Sequence, residues 1–152
     1  MTMSKRAAVI AEARQWIGTP YAHQQMVRGL GCDCVGLIRG VGIATGVMLE
    51  RREDWALFNA YGRRPNPHRM LEGMNTFLVP LDDGVLPQPG DIAWIQWRED
   101  LPMHLALWAT DVRGEPQLIH SFSDVGRVVA HGVTGIWLTR IVSFWSYPGI
   151  DE

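Results

Sequence analysis

The dipeptide Pro89-Gly90 divides this chain into two textures, and that division constrains the fold more than any other feature. Beyond it, short strand-like runs alternate with turn residues: 91–97, 104–110, 117–121 and 127–131. Asp111-Val112-Arg113-Gly114 and Ser123-Asp124-Val125-Gly126 supply the turn chemistry between successive runs, which predicts an antiparallel meander. A last run, 141–147, predicts an edge strand before Pro148-Gly149. Ahead of the divide the spacing is helical. Over 4–17, Val9, Ala13, Trp16 and Ile17 share one face while Lys5, Glu12, Arg14 and Gln15 lie on others. Ser4 can cap the start of this helix, and Gly18-Thr19-Pro20 stops it. A polar loop, 21–31, leads to a second helix over 34–45, where Gly36, Gly40 and Gly42 leave one side bare for close packing. The section 51–89 holds Pro65, Pro67, Pro80 and Pro87 and reads as a surface insertion with one short helix over 67–75. Helices first and strands second make an α+β domain.

A chain of 152 residues with 47% hydrophobic positions suffices for one core, and its seven Trp, four Phe and three Tyr can fill it without disulfides. No internal repeat, low-complexity tract or linker interrupts it, so residues 1–152 are read as a single domain. The 14 basic residues are scattered, adjacent only at Arg51-Arg52 and Arg63-Arg64, and the formal net charge is -2, which argues against nucleic acid as a partner. No apolar run is long enough to span a bilayer. Met1-Thr2-Met3-Ser4-Lys5-Arg6 leads into no signal-type apolar stretch, so the product is expected to be cytoplasmic on synthesis. Cys32 and Cys34 are too close in sequence for an unstrained mutual disulfide and are read as thiols.

The chemistry concentrates in Gly31-Cys32-Asp33-Cys34-Val35-Gly36-Leu37, a loop that runs directly into a helix with Cys34 in its first turn. Unpaired amides and the positive end of the helix dipole favour a thiolate there, so the expectation is a lowered thiol pKa and a nucleophile. A thiol nucleophile needs a base. His104 opens the run 104–110, with Ala106 and Trp108 on its face, and His120 ends the next run. In an antiparallel hairpin the start of one strand lies beside the end of the next, so the two histidines are expected to be neighbours. The resulting roles are attack by Cys34, proton exchange by His104, and a hydrogen bond from His120 that sets the tautomer of His104.

Cys32 is read as a structural thiol, His131 as structural or on the rim, and His23 and His68 as solvated loop residues. Trp94, Trp97 and Trp108 are read as core or cleft wall. Two other classes of function compete. A zinc site could draw on Cys32, Cys34, His104 and His120, although Cys-x-Cys lacks the two-residue gap of common zinc knuckles and no second knuckle exists. A non-catalytic interaction domain could keep the fold without the activity, although the intact Cys34, His104 and His120 count against it.

Five short motifs in one order resemble the NlpC family of papain-like cell-wall peptidases. They are Gly18-Thr19-Pro20-Tyr21, Asp33-Cys34-Val35-Gly36-Leu37, Pro89-Gly90-Asp91, His104-Leu105-Ala106-Leu107 and Leu118-Ile119-His120, and the likeness extends from about Trp16 to His131. It implies a papain-like α+β domain in which N-terminal helices pack on a roughly five-stranded antiparallel sheet, with Cys34 as nucleophile, His104 as base and His120 as orienting residue. It further implies that the Tyr21 hydroxyl lies near the nucleophile and helps bind the oxyanion, and that Asp33 engages a free amino group of a peptide substrate. The implied reaction is hydrolysis of stem-peptide amide bonds in bacterial peptidoglycan through a thioester acyl-enzyme, with no metal or organic cofactor. The chain looks like the single-domain versions encoded with phage tail proteins, which implies tail proteins as partners and a place in the virion. It departs from the family pattern at Val35, where Ser commonly follows the nucleophile, and at Gln24-Gln25, where Gly-Gly often follows Pro-Tyr.

Overall fold

The computed structural model describes residues 2–51, 66–96 and 104–152. Trp97, the last residue of the run expected over 91–97, lies outside the described residues, as do Arg52, Arg63, Arg64 and Pro65.

Helix α1, Lys5–Gln15, starts where the Ser4 side chain accepts a hydrogen bond from the Ala7 amide (3.1 Å). Val9, Ala13 and Trp16 are buried as their spacing predicts. Ile17 is not; it is 44% exposed, because the helix has already ended and Gly18, at φ +92°, turns the chain away. Helix α2, Cys34–Thr45, occupies the expected residues, from its Asp33 cap to Gly46 at φ +79°. Its glycines permit close approach. A Cβ on Gly40 would stand 2.3 Å from the Trp16 ring, and one on Gly42 would stand 2.7 Å from Met48 and 2.8 Å from Tyr147. Helix α3, Pro67–Phe77, is capped by Asn66, which accepts from the Arg69 amide (3.2 Å). The section is therefore more than a surface insertion: Met70 and Met74, one turn apart, and the following Leu78 are buried in the core.

Among the described residues the second half of the chain forms a six-stranded antiparallel sheet. Its order is β3 (Val79–Pro80), β8 (Ile141–Ser146), β4 (Ile92–Ile95), β5 (His104–Thr110), β6 (Pro116–Phe122) and β7 (Arg127–Gly132). The meander from β4 to β7 follows the expected runs, but the strand count and the place of the last strand differ. β8 lies inside the sheet, because it returns to pair with the free side of β4 through Ile92↔Trp145 and Trp94↔Ser143. The sixth strand, β3, then covers the outer side of β8 through Val79↔Ser146 and Pro80↔Trp145. Proline has no amide to donate and suits such an edge. Two further elements lie beyond the expected ones: a two-residue hairpin of β1 (Met26–Val27) and β2 (Gly31–Cys32), and a short helix, α4 (Gly135–Arg140).

One sheet face, with Ile92, Leu105, Leu107, Ile119 and Val128, shares its core with the buried side chains of α1, α2 and α3. The opposite face, with Ala93, Ala106, Trp108 and Leu118, packs with Trp137 of α4. The motif Pro89-Gly90-Asp91 joins the two halves of the chain. Asp91 is 1% exposed; its Oδ1 accepts from Arg6 Nη1 (2.9 Å) and Ser146 Oγ (2.8 Å), and its Oδ2 accepts from the Gln88 amide (2.7 Å). Arg6 also pairs with Asp151 (2.7 Å), which ties the two chain ends to the same joint. Among the described residues no helix is long and apolar enough to cross a membrane.

Candidate active site

The segment Gly18-Thr19-Pro20-Tyr21 is stitched to the start of β7. The Gly18 amide donates to Val128 O (2.9 Å), the Val128 amide to Thr19 O (2.9 Å), and the Tyr21 amide to Gly126 O (2.8 Å). This fixes Tyr21 beside the loop that feeds α2, where it bridges to Cys32. The loop itself folds around Asp33, which is 2% exposed. Its Oδ1 accepts from the Gly36 amide (2.8 Å) as the cap of α2, and its Oδ2 accepts from the Gln24 amide (2.7 Å). The backbone of Gln25 crosses so close to α2 that a Cβ on Gly36 would stand 1.9 Å from the Gln25 carbonyl oxygen, so only glycine fits the third position after Asp33. Asp33 is turned inward with both oxygens on backbone amides. The side chain holds the loop and the helix start.

Cys34 is half-buried at the first residue of α2. The expected lowering of its pKa is reversed. Burial pushes the thiol up to about 12 and the Asp33 carboxylate adds to the rise, outweighing backbone hydrogen bonds from Leu105, Val35 and Cys34 that favour the thiolate. The sulfur thus meets the amide of the residue that follows His104. Tyr21 senses the same neighbourhood: burial first, then Cys34 and Asp33, push its hydroxyl up to about 12, so it stays a phenol that can donate. Val35 and Leu105, which flank this point, also line an apolar hollow together with Met70 and Met74 of α3.

Strand β5 delivers His104 at its first residue, and β6 delivers His120 near its end. The register Leu107↔Ile119 brings these two ends together, with His104 Nε2 2.6 Å from His120 Nδ1. The contact continues. In β6 and β7 the pairs Leu118↔His131 and His120↔Val129 set His131 diagonally across from His120, and the two Nε2 atoms are 2.7 Å apart. His131 Nδ1 lies 2.9 Å from the Gly132 carbonyl oxygen. His120 is fully buried, stacked on Phe122 (5.1 Å between centroids) and edge-on to Trp137 (5.2 Å). Burial lowers His104 to about 4, against an opposing pull from Asp124, and burial together with the neighbouring rings lowers His120 to about 2. Both imidazoles are neutral near pH 7.

Cys32 sits in the core, its carbonyl accepting from Ser121 Oγ (2.7 Å). Among the described residues no group of three or more His, Cys, Asp or Glu side chains is arranged to hold a metal ion. His120 in particular has both ring nitrogens engaged by other rings, which leaves it no lone pair for zinc.

No protein-family model matches the sequence, and no curated protein matches it. Solved structures match in three dimensions. The NlpC/P60 domain of the peptidoglycan hydrolase SagA superposes with a TM-score of 0.54 at 21% identity, over 93% of this chain and 97% of that one. A lipoprotein-like NLP/P60 family protein of Staphylococcus aureus gives a TM-score of 0.63 at 14% identity over 94% of this chain. The fold is NlpC/P60. An N-acetylmuramoyl-L-alanine amidase of Bacteroides uniformis matches as well, with a TM-score of 0.57 at 11% identity over 93% of this chain and 97% of that one. The chain spans 41% of the staphylococcal protein's length. Within this NlpC/P60 fold the residue that sequence reasoning undervalued is His131. Its signal was present: a hairpin turned at 123–126 that pairs His120 with Val129 necessarily sets His131 on the same sheet face, one diagonal step away.

Proposed function

We propose that the chain is a cysteine peptidase or amidase that hydrolyses peptide-stem amide bonds of bacterial peptidoglycan, with Cys34 as nucleophile, His104 as general base and His120 as the residue that orients His104. The observation that carries this reading is the 2.6 Å contact between His104 Nε2 and His120 Nδ1. That contact occupies one nitrogen of His104 and leaves Nδ1 to serve the neighbouring thiol. The fold shared with peptidoglycan hydrolases and an amidase supports the choice of substrate class.

With the thiol raised and the imidazole lowered in pKa, the resting pair is neutral, so the proton must move as the sulfur attacks. His104 takes the Cys34 proton while Sγ bonds to the amide carbon. The oxyanion that forms is met by amides at the start of α2 and by the Tyr21 hydroxyl. As the C–N bond breaks, His104 returns the proton to the leaving amine, and a thioester remains on Cys34. Water then attacks the thioester with His104 again as base, releasing the acid and restoring the thiol.

Incubation with defined muropeptides, read by product mass, tests the reading. Cleavage of a stem-peptide amide is expected, abolished in Cys34→Ala and retained in Cys32→Ala, with both variants folded by circular dichroism. Equal turnover by Cys34→Ala, or no cleavage of any muropeptide by the parent protein, would overturn it.

A further inference from the structure

The chain of imidazoles ends on a backbone carbonyl, and that end fixes the polarity of the whole chain. The Gly132 oxygen can only accept, so with a single proton on the ring His131 carries it on Nδ1 (2.9 Å) and its Nε2 is an acceptor. The facing nitrogen, His120 Nε2 at 2.7 Å, must then carry a proton, which makes His120 Nδ1 an acceptor in turn. His104 Nε2, 2.6 Å from that atom, carries the next proton, and His104 Nδ1 is left bare. With the other ring tautomers, either two N–H groups or two lone pairs would face each other at one of these junctions. Both inner rings lie in surroundings that keep them neutral, so a single carbonyl at the exposed end of β7 dictates where the proton sits two rings away.

We propose that His131 is a positioning residue: acting through His120, it holds His104 in the tautomer whose Nδ1 is free to take the Cys34 proton. The inference rests on the reading of Cys34 and His104 as nucleophile and base, and it adds to that pair a third imidazole. His131 also touches Trp137 (4.9 Å between centroids), so a packing role has to be separated from a tautomeric one.

Two variants of the full chain make that separation. His131→Phe keeps an aromatic ring against Trp137 but offers no nitrogen to His120. His131→Gln restores an acceptor oxygen. Long-range nitrogen–proton NMR on the histidine rings at pH 7.5 reads the tautomers without reference to activity. His104 is expected as the Nε2–H form in the parent protein and in His131→Gln, and as a mixture in His131→Phe. Kinetics on a cleaved muropeptide should show kcat lowered by about 10–100-fold in His131→Phe with KM unchanged, and recovery to within about threefold in His131→Gln. A parent protein whose His104 carries its proton on Nδ1 overturns the inference even if His131→Phe fails to fold. So does a His131→Phe protein with an unshifted His104 tautomer. If the parent cleaves no muropeptide, the proposed function fails while the NMR comparison still decides this one.

Discussion

Two buried aspartates anchor the two ends of this molecule, and they are solvated in opposite ways. Asp91 shares its charge with Arg6 (2.9 Å) and with Ser146, at the joint between the two halves of the chain. Asp33 is held by the backbone amides of Gly36 and Gln24, with His23 Nδ1 at 4.0 Å, and it sits next to Cys34. The first arrangement neutralises charge and fastens α1 to the sheet. The second leaves a negative charge beside a sulfur whose thiolate it opposes. Burial first and this charge second keep the thiol protonated at rest despite its place at a helix start. The same kind of residue can be a fastener at one end and an electrostatic setting at the other.

The largest effect is expected at Asp91. Asp91→Ala takes the carboxylate acceptor from the Gln88 amide and Ser146 and leaves Arg6 with the Pro89 carbonyl and the exposed Asp151, a loss of roughly 2–4 kcal/mol. Thermal unfolding should fall by about 5–15 °C. The rate of Cys34 alkylation by iodoacetamide, measured well below the transition, should not change. An altered alkylation rate would join the two ends that the comparison separates.

Acid acts at the other end. His104 and His120 have folded pKa values near 4 and 2, below the ordinary 6.5. Between pH 6.5 and 4 the unfolded chain therefore binds protons that the folded chain refuses, and stability is fully present above pH 6.5 and falls as pH drops through that window. Unfolding midpoints measured from pH 7.5 to 4 should decline steeply in the parent protein and less steeply in His120→Gln. The proposed catalysis would have its own acid limb: as general base His104 would have to be neutral, so kcat/KM is expected to hold down to about pH 5 and fall only near pH 4.

Asp33→Asn sharpens the contrast with a smaller effect. Asparagine can still cap α2 through its carbonyl oxygen, but its amide nitrogen would face the Gln24 amide, two donors together. A stability loss of about 1–2 kcal/mol follows. Removing the charge also lowers the thiol pKa, so the midpoint of the alkylation-versus-pH curve should move down and alkylation at pH 7 should become several-fold faster. An unmoved midpoint would assign the raised thiol pKa to burial alone.

How much of this was legible depended on whether local chemistry or distant pairing decides each feature. Helix α2 was readable to the residue because Asp33 and Gly46 terminate it by their own conformations, and β5, β6 and β7 because Gly114 and Gly126, at φ +81° and +87°, make the turns between them. The interior position of β8 was not readable, since it depends on which side of β4 remains free after β5 has paired. β3 has two residues, both exposed, and so shows no alternation to read. Helix α4 is six residues long, and Thr134 makes no side-chain cap. The raised pKa of Cys34 required knowing that its sulfur is enclosed, which no motif states, and the inward turn of Asp33 required knowing where the Gln24 amide goes.

Gln24 carries the smallest of the expected effects. It stands at φ +57°, the single residue other than glycine with positive φ among those described, in the loop where the family resemblance anticipates glycines. A side chain in this region costs about 1–2 kcal/mol, while glycine costs about 0.5–1 kcal/mol more to order from the unfolded chain. Gln24→Gly should therefore raise stability by no more than about 1 kcal/mol, a shift in unfolding midpoint of about 2–4 °C at most. The bond from its amide to Asp33 (2.7 Å) belongs to the backbone and survives the change, so the Cys34 alkylation curve should stay where it is. Differential scanning calorimetry and the alkylation profile check the two halves separately. A shifted profile would mean that the Gln24 side chain, and not only its amide, sets the charge around Cys34, and the end of the molecule built on backbone donors would have to be redrawn.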